Sequence, residues 1–556
     1  MRALLVPALL SLSCSQLALA AQQLPSYLNS NDVERNLPTP NLPVDAYRPS
    51  TPELQVPEPQ PSQLQMGSKV MVRNIQVAGG SVYSLNDVAA IFQPLVGREA
   101  SIGELISATR SITQRYQDDG YLLSYAYLPP QSFNEGVVRV VLVEGYVKNY
   151  QLSGDIGAVS NYVRKLLDKI QGERPLTRKT FERYTTLLTM IPGVSVGAQV
   201  PPPGTTDGAT TLIAQASRKP WTSSMNLSDS SRDDIQAILS GSSNAQTAMA
   251  EQITVSGLFP PGEDEERYYR LDYSQFLGSE GTQLSLYGST YKSEPHDRLR
   301  LDNGIELTRK RQNDRYSIGL SHPLIAAPDQ LWTAGARLYA VNDQSQFDVV
   351  GFPLSIDNDT DIRVLGLETD WRQADSQRLR ILSAGLYQGI DGMGANTDNT
   401  LYDLDFLRLR LSGVQSDQYW ANWQGVISAA VYWTDDNLPD AETVVLGAQN
   451  FGRGYPSDQA SGDKGWGASY ELNYSYRRES EWLRLLQPYI AVDAARSWYN
   501  DSPLPTSQLS SAALGLRFGD ARYYNISVEA AKPMSDVALD SNNRRPRLTF
   551  SFSYQL

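Results

Sequence analysis

The chain has 556 residues, the length of about three or four ordinary domains. Its 48 Lys and Arg against 61 Asp and Glu give a net charge of −13, which excludes an electrostatic grip on nucleic acid. One cysteine and two histidines exclude an internal disulfide and a Cys/His-rich metal cluster, so neither a cofactor nor a metal is expected.

In chain order the first element is a leader. Met1-Arg2 supplies a positive start, Ala3 to Leu12 is apolar, and Ala18-Leu19-Ala20 offers small residues for cleavage. Residues 1–20 therefore read as a secretory signal peptide. Cys14 lies inside it; lipidation there is the rival reading, but Ser11 stands where that processing favours leucine. A cysteine-free product behind such a leader fits a Gram-negative periplasm or outer membrane. Residues 21–69 form a proline-rich linker, with Pro52, Pro57, Pro59 and Pro61 in one short stretch. Ser26 to Asn36 could form a short polar helix, a candidate pore plug, or stay disordered.

A repeat follows. Val72-Arg73-Asn74-Ile75-Gln76-Val77-Ala78-Gly79 reappears as Val147-Lys148-Asn149-Tyr150-Gln151-Leu152-Ser153-Gly154. After the first copy, Ser101-Ile102-Gly103-Glu104 is a capping box that opens a helix with Ile102, Leu105, Ile106, Thr109, Ile112 and Tyr116 on one face. Gly120 ends that helix, and strands are expected at Tyr121 to Leu128 and Val137 to Val143. After the second copy, Phe181, Tyr184, Leu188 and Ile191 make the helical stripe, with strands at Val194 to Val200 and Thr210 to Ala216. Each unit reads strand–helix–helix–strand–strand. Two such units behind a signal resemble the POTRA domains of the periplasmic side of outer-membrane assembly and secretion proteins, here 70–145 and 146–219; two generic α+β domains are the alternative. The second unit carries a basic surplus at Arg164, Lys165, Lys169, Arg174, Arg178, Lys179 and Arg183.

From residue 221 a two-residue alternation replaces helical periodicity. Tyr470, Leu472, Tyr474 and Tyr476 alternate with polar residues, as do Leu548, Phe550, Phe552, Tyr554 and Leu556. Leu407, Leu409 and Leu411 flank Arg408 and Arg410 in the same way, and Tyr269, Leu271 and Tyr273 flank Arg270 and Asp272. One face for lipid and one for water is the pattern of a transmembrane β-barrel, and only closure satisfies every backbone group in a bilayer. The expected fold class is thus a membrane all-β protein, an antiparallel barrel over 221–556 preceded by two periplasmic α+β units. Sixteen strands of about 10 residues fit the length, and fourteen or eighteen divide it as well. The ending Phe552-Ser553-Tyr554-Gln555-Leu556 resembles the signal read by the barrel assembly machinery, with leucine where phenylalanine is usual.

Phe451-Gly452-Arg453-Gly454-Tyr455 lies in a long polar connection. With the POTRA-like units upstream, this resembles the Omp85 superfamily and, within it, the two-partner secretion transporters that export haemolysins and adhesins. The resemblance implies an inward-folding loop anchored by Arg453, Gly454 and Tyr455, and a barrel-wall partner, Asp493, within Gln487-Pro488-Tyr489-Ile490-Ala491-Val492-Asp493-Ala494-Ala495-Arg496. Alternation turns Ile490 and Val492 to lipid and Tyr489, Ala491 and Asp493 to the lumen. Ala495 stands where family members often have glycine. A guanidinium fork accepted by a carboxylate would fix an otherwise loose loop.

The resemblance further implies no enzyme activity, an outer-membrane lipid environment, and a large secreted exoprotein as partner, exported without ATP. Cargo capture by strand addition is expected on the strand of Tyr121, Leu122, Leu123, Ser124, Tyr125, Ala126, Tyr127 and Leu128. An assembly insertase of the same superfamily is the alternative, though those usually carry three or more POTRA units; a passive porin needs neither the units nor the loop. His322, in Ser321-His322-Pro323, has no triad context.

Overall fold

A computed structural model describes residues 53–54, 68–229, 235–262, 265–295, 299–300, 306–449, 451–480, 482–501, 506–520 and 523–555. The expected leader over 1–20 and the expected helix over 26–36 lie outside these residues, as does Leu556.

The two copies of the repeat fold alike. In the first unit, Asn74–Ala78 pairs parallel with Val137–Val143, which pairs antiparallel with Tyr125–Tyr127. In the second, Tyr146–Ser153 pairs parallel with Ala209–Arg218, which pairs antiparallel with Val194–Val200. The repeated glycine that closes each motif has a physical reason. Gly79 and Gly154 have φ of +77° and +98°, and a Cβ on either would strike a carbonyl oxygen of the third strand, Leu142 or Ala216. Helix Ile102–Asp118 opens with the expected capping box, Ser101 and Glu104 bonding each other's backbone. It buries Ile102, Leu105, Thr109, Ile112 and Tyr116 against the sheet. Helix Arg178–Thr189 does the same with Phe181, Tyr184 and Leu188.

The strand expected over Tyr121 to Leu128 is shorter than its sequence suggests, spanning only Tyr125–Tyr127. Residues 121–124 make a turn in which the Ser124 N–H donates to the Tyr121 carbonyl at 2.9 Å. The apolar residues that suggested a strand are used by that turn. Leu123 joins the core of the second unit, so the turn links the two units, and Ser124 Oγ accepts the Gly145 N–H at 3.1 Å where the first unit ends.

Sixteen antiparallel strands, from Trp221–Ser228 to Arg547–Gln555, close into a barrel by pairing of the first with the last. The alternation holds where it was read: Ile490 and Val492 face outward, while Tyr489, Ala491 and Asp493 are buried inside. Leu407, Leu409 and Leu411 are exposed around buried Arg408 and Arg410. Three strands are about twice the expected length. Glu306–Ala326, Gln330–Val349 and Ser355–Ala374 have 21, 20 and 20 residues, where about 10 suffice to cross a bilayer. Their outer ends are polar on both faces (Arg309-Lys310-Arg311-Gln312, Asp357-Asn358-Asp359) and continue the ladder beyond the membrane. Alternation is lost there, and with it the sequence signal for a strand.

The second unit docks on the barrel. Glu280, in the short turn between strands Arg267–Leu277 and Thr282–Ser293, receives Lys169 Nζ at 2.9 Å and the Tyr184 hydroxyl at 3.0 Å. Arg183 donates to the Glu280 and Pro323 carbonyls, and Tyr162 stacks on Phe276 at 5.4 Å. Two of the seven basic residues noted in the second unit, Lys169 and Arg183, thus hold the barrel itself. Arg174 and Arg178 engage Tyr146 and Glu182 within the unit.

Candidate functional site

The connection between strands Trp423–Trp433 and Lys464–Tyr474 turns back into the barrel. Val444–Leu446 pairs antiparallel with Ala460–Gly462, making a small hairpin whose tip is the Phe-Gly-Arg-Gly-Tyr segment. Its burial is apolar first: Val444, Leu446, Phe451, Tyr455 and Ala460 pack on wall residues that include Tyr432, Ala495 and Leu509. Ala495, where a glycine was the family expectation, is part of this contact. Phe451 lies on the bare backbone of Gly467, where a Cβ would come within 2.3 Å of its ring. Gly454 lies equally close to Pro533 and Lys532, so its missing side chain lets the tip touch strand Tyr524–Pro533. Tyr455 is fully buried; its hydroxyl donates to the Ser510 carbonyl at 3.3 Å and accepts the Ser535 N–H at 3.2 Å.

Arg453 completes the anchor. Its guanidinium reaches Glu529 Oε2 at 2.5 Å through Nη1 and Glu471 Oε2 at 3.2 Å through Nη2. Asp493 is part of the site, but not as the expected two-pronged acceptor. Its Oδ2 is 3.9 Å from Arg453 Nε and accepts the Arg453 backbone N–H at 3.2 Å, while Oδ1 accepts the Ser511 hydroxyl at 2.5 Å. Strand Leu485–Trp498 carries Asp493 opposite the loop backbone, so the two longer glutamates take the side chain. Arg517 bridges Glu471 from the far side at 2.6 and 2.8 Å, stacked 4.1 Å over Tyr489. Two guanidiniums thus face three carboxylates inside the lumen. Sequence reasoning missed Glu471, Glu529 and Arg517. Alternation in Asn525-Ile526-Ser527-Val528-Glu529 points both Ser527 and Glu529 inward, but no spacing ties that glutamate to Arg453.

Of the expected cargo strand, Tyr121 to Leu128, three residues form a strand. Tyr125–Tyr127 is the terminal strand of its sheet, and its two tyrosine rings lie side by side, centroids 6.1 Å apart. The outward N–H of Ala126 donates to Thr113 Oγ1 at 3.0 Å, and the Thr113 hydroxyl donates to the Ala126 carbonyl at 3.4 Å. Tyr121, Leu122, Leu123 and Ser124 belong to the preceding turn, and Leu128 is buried beyond the strand. His322 Nδ1 is 2.9 Å from Thr282 Oγ1 in the barrel wall.

Comparison with known proteins bears on the family and the fold. Residues 70–145 match the ShlB-type POTRA domain, and residues 213–518 match the haemolysin secretion/activation proteins ShlB/FhaC/HecB. The heme/hemopexin transporter protein HuxB of Haemophilus influenzae (strain 86-028NP) is 21% identical over 480 residues, 81% of each chain. The outer membrane transporter CdiB of Escherichia coli is 24% identical over 499 residues, 85% of this chain and 80% of that one. The solved structure of CdiB from Escherichia coli superposes with a TM-score of 0.70 at 19% identity, covering 90% of this chain and 93% of that chain. BamA from Haemophilus ducreyi lacking POTRA domains 1–3 gives 0.51 at 14% identity over 88% of this chain, a likeness of fold. The family match spans more than half of the sequence, and a POTRA match lies upstream of it: the chain belongs to the ShlB/FhaC/HecB family of two-partner secretion transporters of the outer membrane, with its POTRA units in the periplasm.

Proposed function

We propose that this transporter captures one large secreted partner protein in the periplasm and passes it through the barrel without ATP. The observation that carries the reading is the loop tip held inside the lumen by a charge cluster, since a passive pore needs no such device. The POTRA units supply the capture surface. Among the described residues, a cargo strand adding to Tyr125–Tyr127 has the Thr113 hydroxyl to displace at Ala126, and the two tyrosines offer aromatic surface beside it. Folding of the cargo outside the cell would drive export, because no phosphate-cradling glycine loop is present in the sequence. The two POTRA units favour this role over that of an assembly insertase.

A photo-crosslinking amino acid at Tyr127 tests the capture step in cells that make the transporter together with its cargo. Adducts with the cargo precursor are expected from position 127 and absent from Lys179 on the second unit. Equal yields from the two positions would remove the strand from the capture surface.

A further inference from the structure

A second charged contact holds the same loop elsewhere on the wall. Glu442, in the short helical turn Asp440–Glu442 on the limb that enters the lumen, is fully buried. Its Oε2 lies 2.6 Å from Arg408 Nη2 and accepts the Tyr339 hydroxyl at 2.9 Å, and its Oε1 lies 3.6 Å from Arg315 Nη2. Both arginines also bind the limb's backbone: Arg408 Nη1 donates to the Glu442 carbonyl at 2.9 Å, and Arg315 Nη2 to the Ala441 carbonyl at 3.3 Å. Each guanidinium is backed by a ring, Arg315 by Tyr339 at 5.3 Å and Arg408 by Tyr387 at 4.6 Å. Leu438 and Ala441 pack beside them on Val341, Ile362, Val364 and Phe406.

We propose that Glu442 is a second positioning residue of the inward loop, seated in a socket made by Arg315, Arg408 and Tyr339. The polarity is the reverse of the tip. There a loop arginine enters a nest of wall carboxylates; here a loop carboxylate enters a pair of wall arginines. The socket residues come from strands Glu306–Ala326, Gln330–Val349 and Leu407–Trp420, which precede the loop. The tip cluster comes from strands that follow it, Lys464–Tyr474 through Tyr524–Pro533. The loop is therefore clamped to the wall on both of its sides, and a glutamate-to-glutamine change removes the carboxylate charge that Arg315 and Arg408 both face. The inference deepens the reading of the loop as the transport device, yet the clamp itself can be tested without any cargo.

The test uses the full chain in lipid vesicles, with Cys14→Ser and one reporter cysteine. Thr443→Cys (4% exposed) reports the entering limb and Ala460→Cys (3% exposed) the returning one. A water-soluble maleimide is the probe. Glu442→Gln should raise labelling at position 443 at least tenfold. Glu442→Asp, which keeps the charge, should raise it less, and Tyr339→Phe should raise it two- to fivefold. Arg453→Ala should instead act mainly at position 460. Wild-type labelling at 443 in Glu442→Gln overturns the proposal, because shape alone would then hold the limb. If Glu442→Gln does not insert, an unchanged rate in Tyr339→Phe overturns it equally. Should Arg453→Ala leave position 460 protected while Glu442→Gln frees 443, the tip lock fails and the socket stands.

Discussion

Arg453 and Glu529 meet at 2.5 Å inside the barrel, although 76 positions separate them in the chain. The contact ties the tip of an extracellular connection to a strand near the carboxyl end, and it is the shortest of three carboxylate contacts to that guanidinium. The wall therefore holds the tip chiefly through Glu529 and Glu471, with Asp493 fixing the backbone beneath.

Glu529→Gln should consequently loosen the loop more than Asp493→Asn. An asparagine oxygen still accepts the Arg453 N–H, whereas the glutamine gives up the charge of the closest ion pair. Breaking a buried pair by removing one partner costs about 3–5 kcal/mol, and the lower end applies because Arg453 retains 23% side-chain exposure. Arg453→Ala combined with Glu529→Gln should cost much less than the two single losses together. Loop protease sensitivity in purified protein checks the order of the variants, and strict additivity would show that the pair is not coupled.

Gly454→Ala should impair the loop without altering any charge. The added Cβ would lie 2.6 Å from the Pro533 nitrogen and 2.8 Å from the Lys532 carbonyl carbon, backbone atoms that cannot swing aside. The barrel should still insert and migrate as a heat-modifiable band, while the tip becomes protease-sensitive. Protection equal to the wild type would place the tip further from that strand.

The dock between the second POTRA unit and the barrel should depend on pH only in acid. Burial alone would raise the Glu280 carboxyl, but Lys169, Tyr184 and Arg183 outweigh it and hold the group below the ordinary carboxylate range. A lowered carboxylate stabilises the dock fully above its unfolded value near 4.5, and the contribution is lost as pH falls through the lowered folded value. Lys169 reactivity toward an amine label, compared between wild type and Glu280→Gln, should differ equally at pH 6 and pH 8. A dock that loosens between those values would need another titrating group.

Much of this was readable before any coordinates. The repeat placed both POTRA units, because glycines at 79 and 154 mark the same backbone constraint, and the capping box at Ser101 fixed a helix start. Alternation found the strands wherever one face meets lipid. It failed on the outer halves of the three long strands, where water bathes both faces, and at Tyr121 to Ser124, whose apolar side chains serve a turn between two cores. The tip was legible through the resemblance of Arg453-Gly454-Tyr455, behind two POTRA-like units, to the Omp85 loop signature. Glu529 and Glu442 were not, since each is one acid among 61 and only the closed barrel brings them to their arginines.

Export itself is the most direct test of the central claim. The chain is produced together with a candidate large secreted cargo protein that the wild type exports, and cargo in the medium is measured per inserted barrel for wild type and Arg453→Ala. The account predicts efficient export by the wild type and at least a tenfold loss in Arg453→Ala, with equal amounts of heat-modifiable barrel in the outer membrane. Undiminished export by Arg453→Ala, at matched insertion, would contradict it.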